Sequence, residues 1–190
     1  MLKDKKIKYY KIYFMKKILL IFTLLFSFTF SAYGEKLINS ITDGELLIEQ
    51  YDNKLRLSHN TFGLIEVSND EISITAKGTK TDSYLSFYIK GNNINIVCFK
   101  KYFDLKPIKY FLVNENRNDK YDSQKVMGNN EVYSFTLPKK HFNDLKKTNT
   151  LLVIPAGKNQ DGYNIHVLIQ LLKDYENQIK DYSIYQKYLK

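Results

Sequence analysis

Cysteine is almost absent from this chain, since Cys98 is the only one among 190 residues. A single thiol excludes an intramolecular disulfide, so the stability of the fold has to come from packing. The surrounding residues 94–99, INIVCF, alternate between apolar and other side chains, and this places the thiol on the same strand face as Ile94 and Ile96. We therefore predict a buried structural thiol. The alternatives are a reactive nucleophile and an intermolecular disulfide.

The sequence also lacks the short motifs of common catalytic and metal sites, with no HExxH, GxSxG, CxxC or Walker loop. The histidines His59, His141 and His166 stand far apart, none at a ligand spacing from another. Strand alternation around residues 164–167 predicts that His166 points to solvent, and His141 beside two lysines is predicted at the surface. Acidic residues are spread evenly along the chain. We predict no catalytic residue, no cofactor and no metal ligand.

Residues 114–119, NENRND, resemble the beginning of a calcium-binding loop because asparagines occupy alternate positions. The position that requires glycine for the turn holds Asp119, and Lys125 stands where the bidentate glutamate belongs. The sequence therefore predicts a polar loop between two strands at this place.

The chain lacks a basic surplus outside its first 34 residues. The formal net charge is +9, but seven of the 29 basic residues and one of the 20 acidic residues lie within residues 1–34. Residues 35–190 keep 22 basic and 19 acidic side chains, which is close to balance. A nucleic-acid-binding domain carries a strong basic footprint, so we predict no nucleic-acid partner.

No apolar run reaches the roughly 20 residues that a membrane-spanning helix needs. The longest is residues 18–30, which follows Lys16 and Lys17 and precedes the small residues Ala32 and Gly34. These parts are typical of a cleaved secretory signal, and the alternatives are an uncleaved anchor and a buried helix. We predict that residues 1–34 are a signal peptide with an extended N-terminus, in which Met15 is a candidate start. The exported chain is then periplasmic or extracellular, with no membrane contact after cleavage.

Residues 35–190 hold no repeat or linker, which predicts a single β-rich domain. Residues 83–90 and 94–99 alternate around a Gly-Asn-Asn turn and predict a β-hairpin. The same pattern predicts strands at 45–51, 54–59, 63–68, 71–76, 108–114, 131–137, 150–154 and 163–171. The expected fold is mainly β, as an antiparallel sandwich or a barrel-like sheet.

Two segments depart from the strand pattern. Lys139 to Lys147 follows Pro138 and predicts a short helix. Leu172 to Leu189 predicts one amphipathic helix that packs on the sheet through the stripe Leu172, Tyr175, Ile179 and Tyr182. The alternative is a helix that docks onto a partner or a membrane surface. The neighbouring tyrosines, Tyr182, Tyr185 and Tyr188, are predicted to belong to this packing, and an exposed contact surface is the alternative.

The order of these elements over residues 83–182 resembles that of small exported β-sandwich proteins. The strands SYLSFYI (83–89), NNINIV (92–97) and IKYFLVN (108–114) are followed by VYSF (132–135), HFNDL (141–145), LLVI (151–154) and residues 162–171 leading into a helix. The similar families are the type VI secretion-associated VasI/TagO kind and the invasion-associated locus B kind. The resemblance implies a non-enzymatic accessory or envelope domain. Those families commonly carry a cysteine pair, which this chain lacks, and no functional residue is transferred from them.

These observations predict an exported, non-enzymatic binding or accessory protein whose partner is a protein or a glycan. One alternative is a small secreted hydrolase that uses His59 or His166 as a base beside scattered carboxylates. Another is a periplasmic immunity or inhibitor protein. A concave pocket that gathers histidine and acidic side chains favours the enzyme, whereas a flat exposed apolar patch favours binding.

Overall fold

The computed structural model describes residues 35–147, 149–155 and 161–190, and Leu37–Lys190 form one mainly β unit. The predicted signal peptide, residues 1–34, lies outside the described residues. The strands are β1 (Leu37–Asp43), β2 (Leu46–Tyr51), β3 (Lys54–His59), β4 (Gly63–Ser68), β5 (Glu71–Lys77), β6 (Tyr84–Lys90), β7 (Asn93–Phe99), β8 (Lys109–Asn114), β9 (Arg117–Asp122), β10 (Gln124–Gly128), β11 (Val132–Thr136), β12 (Leu151–Val153) and β13 (Gly162–Tyr163). The helices are α1 (Lys139–Leu145), α2 (His166–Lys173), α3 (Glu176–Ile179) and α4 (Ser183–Tyr188).

Nine of the strands form one antiparallel sheet in the order β1-β2-β3-β4-β5-β6-β7-β11-β10. The first seven follow one another along the chain, because short turns join each strand to the next. Gly44 and Gly91 take φ values of 60° and 59° in the tight turns after β1 and β6, a conformation that glycine adopts without strain. The hairpin predicted around residue 91 is confirmed, with Phe87 opposite Ile96.

Side-chain alternation gives the nine-stranded sheet a buried apolar face. In β5, Ile72, Ile74 and Ala76 are fully buried, while the residues between them are only half-buried. In β7, Cys98 is fully buried on the same face as Ile94 and Ile96, which confirms the predicted environment of the thiol. An apolar sheet face of this kind has to be covered by another layer of structure.

The remaining four strands form a second antiparallel sheet in the order β13-β12-β8-β9. Tyr110 and Leu112 of β8 and Leu152 of β12 are buried in the common core. A bridge between Gly78 and Tyr163 joins this sheet to the segment that leaves β5.

The helices cover part of the core. The short helix predicted after Pro138 is confirmed as α1, which contacts β8 and buries Phe142 and Leu145. Further along the chain, α2 contacts β3 and β4, α3 contacts β3, and α4 contacts β5. The longest of these helices has eight residues, and none in the described ranges is long and apolar enough to cross a membrane.

The strand predicted over residues 163–171 is wrong beyond its first residue. β13 ends at Tyr163 and α2 begins at His166, after the Asn164 side chain accepts the main-chain N–H of His166 at 3.0 Å. The prediction failed because the apolar residues of this segment fit the helical spacing i, i+3, i+4 and i+7 as well as the alternation of a strand. The structure buries that helical set, which consists of Ile165, Leu168, Ile169 and Leu172.

The single helix predicted over residues 172–189 is also wrong, because the chain breaks into the end of α2, then α3 and α4. A straight helix presents one stripe to a sheet, whereas the broken path buries residues from several directions, which are Leu172, Ile179, Ile184, Tyr185 and Tyr188. Of the predicted stripe, Leu172 and Ile179 are fully buried, and the two tyrosines at 175 and 182 are half-buried against the core. The packing role predicted for Tyr185 and Tyr188 is confirmed.

Three strands have no counterpart among the predicted ones. β1 is exposed along its whole length, and β10 is exposed at all but one residue, so neither has the alternation that marks a half-buried strand. β9 has the polar sequence RNDKYD and is formed by pairing with β8, with Leu112 opposite Asp119. The predicted polar loop between strands is confirmed in shortened form, as the turn at Glu115 and Asn116.

Candidate functional site

A cluster of titratable side chains lies where β9 meets α1. Strand alternation puts Arg117, Asp119 and Tyr121 on one half-buried face of β9, while the residues between them are exposed. The α1 side of the cluster is formed by Asp144 near the end of the helix and by His141 one turn earlier. We refer to these five residues, together with Tyr110 of β8 and Lys147, as the β9–α1 network.

Arg117 is the centre of this network. Its guanidinium donates from Nε to an Asp119 carboxylate oxygen, from Nη1 to Asp144 Oδ2 at 2.9 Å, and from Nη2 to Tyr121 Oη at 2.7 Å. Tyr121 Oη in turn donates to Asp119 Oδ2 at 3.2 Å. The hydrogen bonds to Asp119 and Asp144 raise the pKa of Arg117, and the hydrogen bond from Arg117 lowers the pKa of Asp119.

Asp144 is the most buried carboxylate of the network, with 8 % of its surface exposed. Its second oxygen, Oδ1, accepts from Lys147 Nζ at 2.8 Å, so the two carboxylate oxygens have different cationic partners. Burial opposes ionisation of Asp144, but the hydrogen bonds from Lys147 and Arg117 outweigh it and lower the pKa of this carboxyl. Asp144 is therefore a carboxylate at neutral pH.

His141 lies against the aromatic side of the network, which corrects the prediction that it is a surface residue. It is half-buried, its ring centre is 4.0 Å from that of Tyr121, and its Nδ1 is 2.6 Å from Tyr110 Oη. Burial is the main cause that lowers the pKa of His141, so the imidazole is neutral at pH 7. Burial also raises the pKa of Tyr110 to about 12, so the phenol keeps its proton in this hydrogen bond with Nδ1.

The network can hold elements together, because its charged groups are already engaged with one another. The described residues form one cleft beside α2 and another beside the turn after β6, and no residue of the network lines either of them. Within residues 35–147, 149–155 and 161–190, no group of three or more His, Cys, Asp or Glu side chains could hold a metal ion. Arg117 bridges β9 and α1, which makes the network a brace between the four-stranded sheet and the helix.

A second polar centre surrounds Asp161, whose exposed surface is 1 %. Its Oδ2 accepts from Thr81 N at 2.9 Å and Thr81 Oγ1 at 2.7 Å, and its Oδ1 accepts from Lys80 N at 3.0 Å, Thr79 Oγ1 at 3.1 Å and Gly162 N at 2.8 Å. Burial opposes ionisation of Asp161, but these hydrogen bonds, first of all that from Thr81, outweigh it and lower its pKa.

The segment after β5 is shaped to receive this carboxylate. A Cβ atom on Gly78 would lie 2.2 Å from Asp161 Oδ2 and 2.5 Å from Ser83 Oγ, so only glycine leaves room for the oxygens. Ser83 Oγ also lies 2.8 Å from Tyr163 Oη, in β13. Asp161 therefore fastens the segment 78–83, which connects two strands of the large sheet, to the beginning of β13 in the small sheet.

The two histidines proposed as bases for a hydrolase lie in separate local environments. His59 Nδ1 accepts the main-chain N–H of Thr61 at 3.1 Å and lies 3.8 Å from Glu45 Oε2. Its ring is tilted by 41° against that of Phe62, with the ring centres 4.6 Å apart. His166 begins α2, and its Nδ1 donates to the main-chain carbonyl of Lys146 at 2.6 Å. The strand position predicted for His166 is therefore wrong, and its ring joins α2 to the end of α1.

Cys98 has the surroundings of a structural thiol. It is fully buried, and burial raises the pKa of the thiol, which keeps it protonated and unreactive at neutral pH.

The sequence predicted the environment of Cys98 but did not reveal the roles of Arg117, Tyr121 and Asp161. For the first two, the signal was the alternation of polar side chains at 117, 119 and 121. For Asp161, it was the run of hydroxyl residues Thr79, Thr81 and Ser83.

No protein-family model, curated protein or solved structure matches this chain.

Proposed function

We propose that the chain is an exported, non-enzymatic binding or accessory protein that takes up an extended polypeptide segment along β1. Export is supported by the lysines, the apolar run and the small residues of residues 15–34. The observation that carries the proposed binding at β1 is the exposure of this apolar strand at the end of the large sheet.

All seven residues of β1 are exposed, although three of them are large aliphatic residues. The exposed fractions are 48 % for Leu37, 59 % for Ile38 and 46 % for Ile41. Because β1 is the last strand in the order of the nine-stranded sheet, it also presents an edge whose main chain can pair with another strand. Soluble proteins normally protect such an edge, so an exposed apolar one marks an interaction surface.

The opposite edge of the same sheet is protected. β10 shifts register against β11 between Gln124 and Met127, and Lys125 within this bulge has a φ of 52°. Bulges and lysines are two devices that prevent an edge from pairing with a further strand. In β1 the register against β2 shifts once, between Leu37 and Asn39, and Asn39–Asp43 then pair without interruption with Leu46–Gln50. The strand contains no lysine. β1 is thus the edge that suits regular addition of a strand.

The chemistry of β1 favours a polypeptide over a glycan. Main-chain hydrogen bonds to an edge require an extended peptide, and the aliphatic side chains at 37, 38 and 41 offer contacts for alternate side chains of that peptide. Only one of the exposed large apolar residues in the described ranges is aromatic, which is Tyr88, so these residues do not form a broad aromatic surface. Asp43 is the one charged residue of β1, which leaves the edge close to neutral.

We favour a sandwich over a barrel for the two sheets. The order of the nine-stranded sheet ends in two different strands, β1 and β10, and the second sheet adds a separate set of four strands. The resemblance of residues 83–182 to the VasI/TagO kind and the invasion-associated locus B kind stays part of the proposal. An immunity or inhibitor protein would also engage a protein partner, so identification of that partner decides between these roles.

Export makes a first prediction about the chain terminus. Protein recovered from the periplasmic or extracellular fraction should begin at Glu35, because signal cleavage follows the small residues at 32 and 34. N-terminal sequencing or intact mass would measure this. Recovery of a chain with Met15 still present, held in the membrane fraction, would contradict the cleaved signal.

Binding at β1 makes a second prediction. A photoreactive phenylalanine analogue introduced in place of Asn39 should cross-link to a protein partner in the exported fraction, because that side chain lies on the exposed edge strand. The same analogue in place of Glu115, in the exposed turn before β9, is the control for random encounters. Mass spectrometry of the cross-linked band would identify the partner.

A matched pair of substitutions tests whether strand addition at the edge of β1 is responsible for the cross-link from position 39. Ile41→Lys should abolish the cross-link, because a lysine on an edge strand opposes strand addition. Ile108→Lys, at an apolar residue that is 59 % exposed and lies outside β1, should leave it unchanged. Equal cross-linking from positions 39 and 115, or a cross-link insensitive to Ile41→Lys, would refute binding along β1.

A further inference from the structure

A cleft of about 450 Å³ opens between α2, the end of α1 and the residues around α4. Three lysines line it, which are Lys146, Lys173 and Lys190, and the one acidic side chain in its lining is Glu176. Ile169 and Leu189, which are 2 % and 3 % exposed, form an apolar part of the wall. The volume lies within the roughly 300–1,000 Å³ that small-molecule sites occupy.

The positive charges of this cleft have no carboxylate partner. None of its three lysines forms an ion pair with an acidic side chain of the described residues. Lys146 is half-buried, and its Nζ donates to the main-chain carbonyl of Tyr188 at 2.7 Å. A carbonyl fixes the position of this ammonium without neutralising it.

The lining holds one acidic side chain against three lysines. Burial, with the charge of Glu176, raises the pKa of Tyr185, another lining residue, to about 12. Glu176 therefore acts on Tyr185, and the lysines of the lining outnumber its one carboxylate side chain.

The electrostatics around Lys146 agree with this excess. Burial is the first cause that lowers the pKa of Lys146, and the positive charges of Lys139 and Lys173 lower it further. An anion placed between Lys146 and Lys173 would stabilise both ammonium groups.

A second cleft in the described part of the chain shows the contrast. It has a volume of about 490 Å³ and is lined by Lys90 and Lys187 among other residues. Lys90 pairs there with Glu71 at 3.3 Å and Asp70 at 3.9 Å, and Lys187 Nζ is bound by Gly91 O and Asn92 Oδ1. Lys90 is thus neutralised by carboxylates and Lys187 is held by neutral oxygens, whereas no lysine of the cleft beside α2 has a carboxylate partner among the described residues.

We propose that the cleft lined by Lys146, Lys173 and Lys190 binds a small soluble phosphate monoester. A phosphate monoester carries a charge of about −1.5 to −2 at pH 7 and three acceptor oxygens, which match several ammonium groups better than a single carboxylate does. Lysine binds phosphate as a point charge and needs no fixed fork geometry. This site does not depend on the strand-binding edge at β1.

Isothermal titration calorimetry at low ionic strength tests the proposal with glucose 6-phosphate as the probe. The probe should bind the natural chain, inorganic phosphate should compete with it, and glucose should not bind. Lys146→Gln combined with Lys173→Gln should weaken binding about tenfold or more, because two unit charges beside the phosphate are removed. Lys180→Gln removes the same kind of charge from an exposed lysine outside the cleft and should change affinity little.

The outcomes separate a specific site from general attraction. Equal weakening by Lys180→Gln and by the double substitution, or no binding of glucose 6-phosphate to the natural chain, would overturn the proposal. Binding to vesicles that contain phosphatidate, without binding to glucose 6-phosphate, would assign the cleft to a lipid headgroup and would also overturn it. Should Lys146→Gln impair folding, Lys173→Gln alone replaces an exposed side chain and carries the same test.

Discussion

Asp161→Ala should lower the free energy of unfolding by at least about 3 kcal/mol, because several buried donors lose their acceptor and each unsatisfied group costs about 1–3 kcal/mol. The carboxylate is 1 % exposed and accepts hydrogen bonds from Thr81, Thr79 and the main chain of residues 80 and 162. Its removal also weakens the connection between the segment after β5 and β13, which is then left to the Gly78–Tyr163 bridge and the Ser83–Tyr163 hydrogen bond. Urea denaturation followed by circular dichroism would measure the change.

A neighbouring carboxylate serves as the control. Asp82 lies in the same segment, with a side chain that is 90 % exposed and paired with Lys77 at 2.9 Å. Exposed ion pairs contribute little to stability, so Asp82→Ala should leave the denaturation midpoint almost unchanged. Similar midpoints for the two alanine variants would mean that Asp161 does not fasten the two sheets together.

The same carboxylate gives the stability a dependence on pH with a defined sign. The pKa of Asp161 is lowered in the folded state, so the unfolded state binds more protons as the solution becomes acidic. Its contribution is fully present above the ordinary aspartate pKa of about 3.9 and is lost as the pH falls through the lower folded value. Asp119 and Asp144 add effects of the same sign, so the comparison with Asp161→Asn isolates one residue. The stability advantage of the natural chain should shrink towards acidic pH.

Local sequence patterns were sufficient for most of the large sheet. Strands β2 to β7 repeat a simple rule, in which apolar side chains at every second position face the core and short turns reverse the chain. The rule failed over residues 163–171, where alternation and helical spacing coincide, and the side chain of Asn164 decides in favour of a helix. The rule did not predict β9, because the inward-facing side chains of that strand are polar, only half-buried and held by ion pairs.

The polar centres could not be predicted, because their partners are distant in sequence. Asp161 and Thr81 are separated by 80 residues, and Arg117 and Asp144 by 27. Only the folded chain brings them together, so the sequence showed acidic residues spread evenly where the structure has two organised networks. His141 illustrates the consequence, since its neighbours along the chain are lysines, whereas its neighbours in space are Tyr110 and Tyr121.

The two networks and the C-terminal helices stabilise the same layer arrangement in different ways. Asp161 joins the sheets through hydrogen bonds, Arg117 joins β9 to α1 through ion pairs, and the C-terminal helices cover the apolar face of β3, β4 and β5. Polar centres specify a particular geometry, while apolar burial supplies most of the favourable free energy of folding. The helices should therefore be as important for stability as the buried carboxylate.

Leu172→Ala and Ile179→Ala should each lower the free energy of unfolding by about 2–5 kcal/mol, because each removes a buried aliphatic side chain and leaves a cavity. Both residues are fully buried, Leu172 in α2 and Ile179 in α3. A loss of this size is a large part of the roughly 5–15 kcal/mol that stabilises a typical domain, so thermal melting should shift by many degrees.

The control is Lys180→Ala, one residue beyond Ile179, where the side chain is exposed and the melting temperature should stay nearly unchanged. A helix that instead detaches to dock onto a partner would leave its apolar residues solvated in the free protein. Ile179→Ala would then melt like the natural chain and weaken association with the partner. An unchanged melt for both apolar variants would refute the assignment of α2 and α3 to the core, because a solvated side chain creates no cavity when it is shortened.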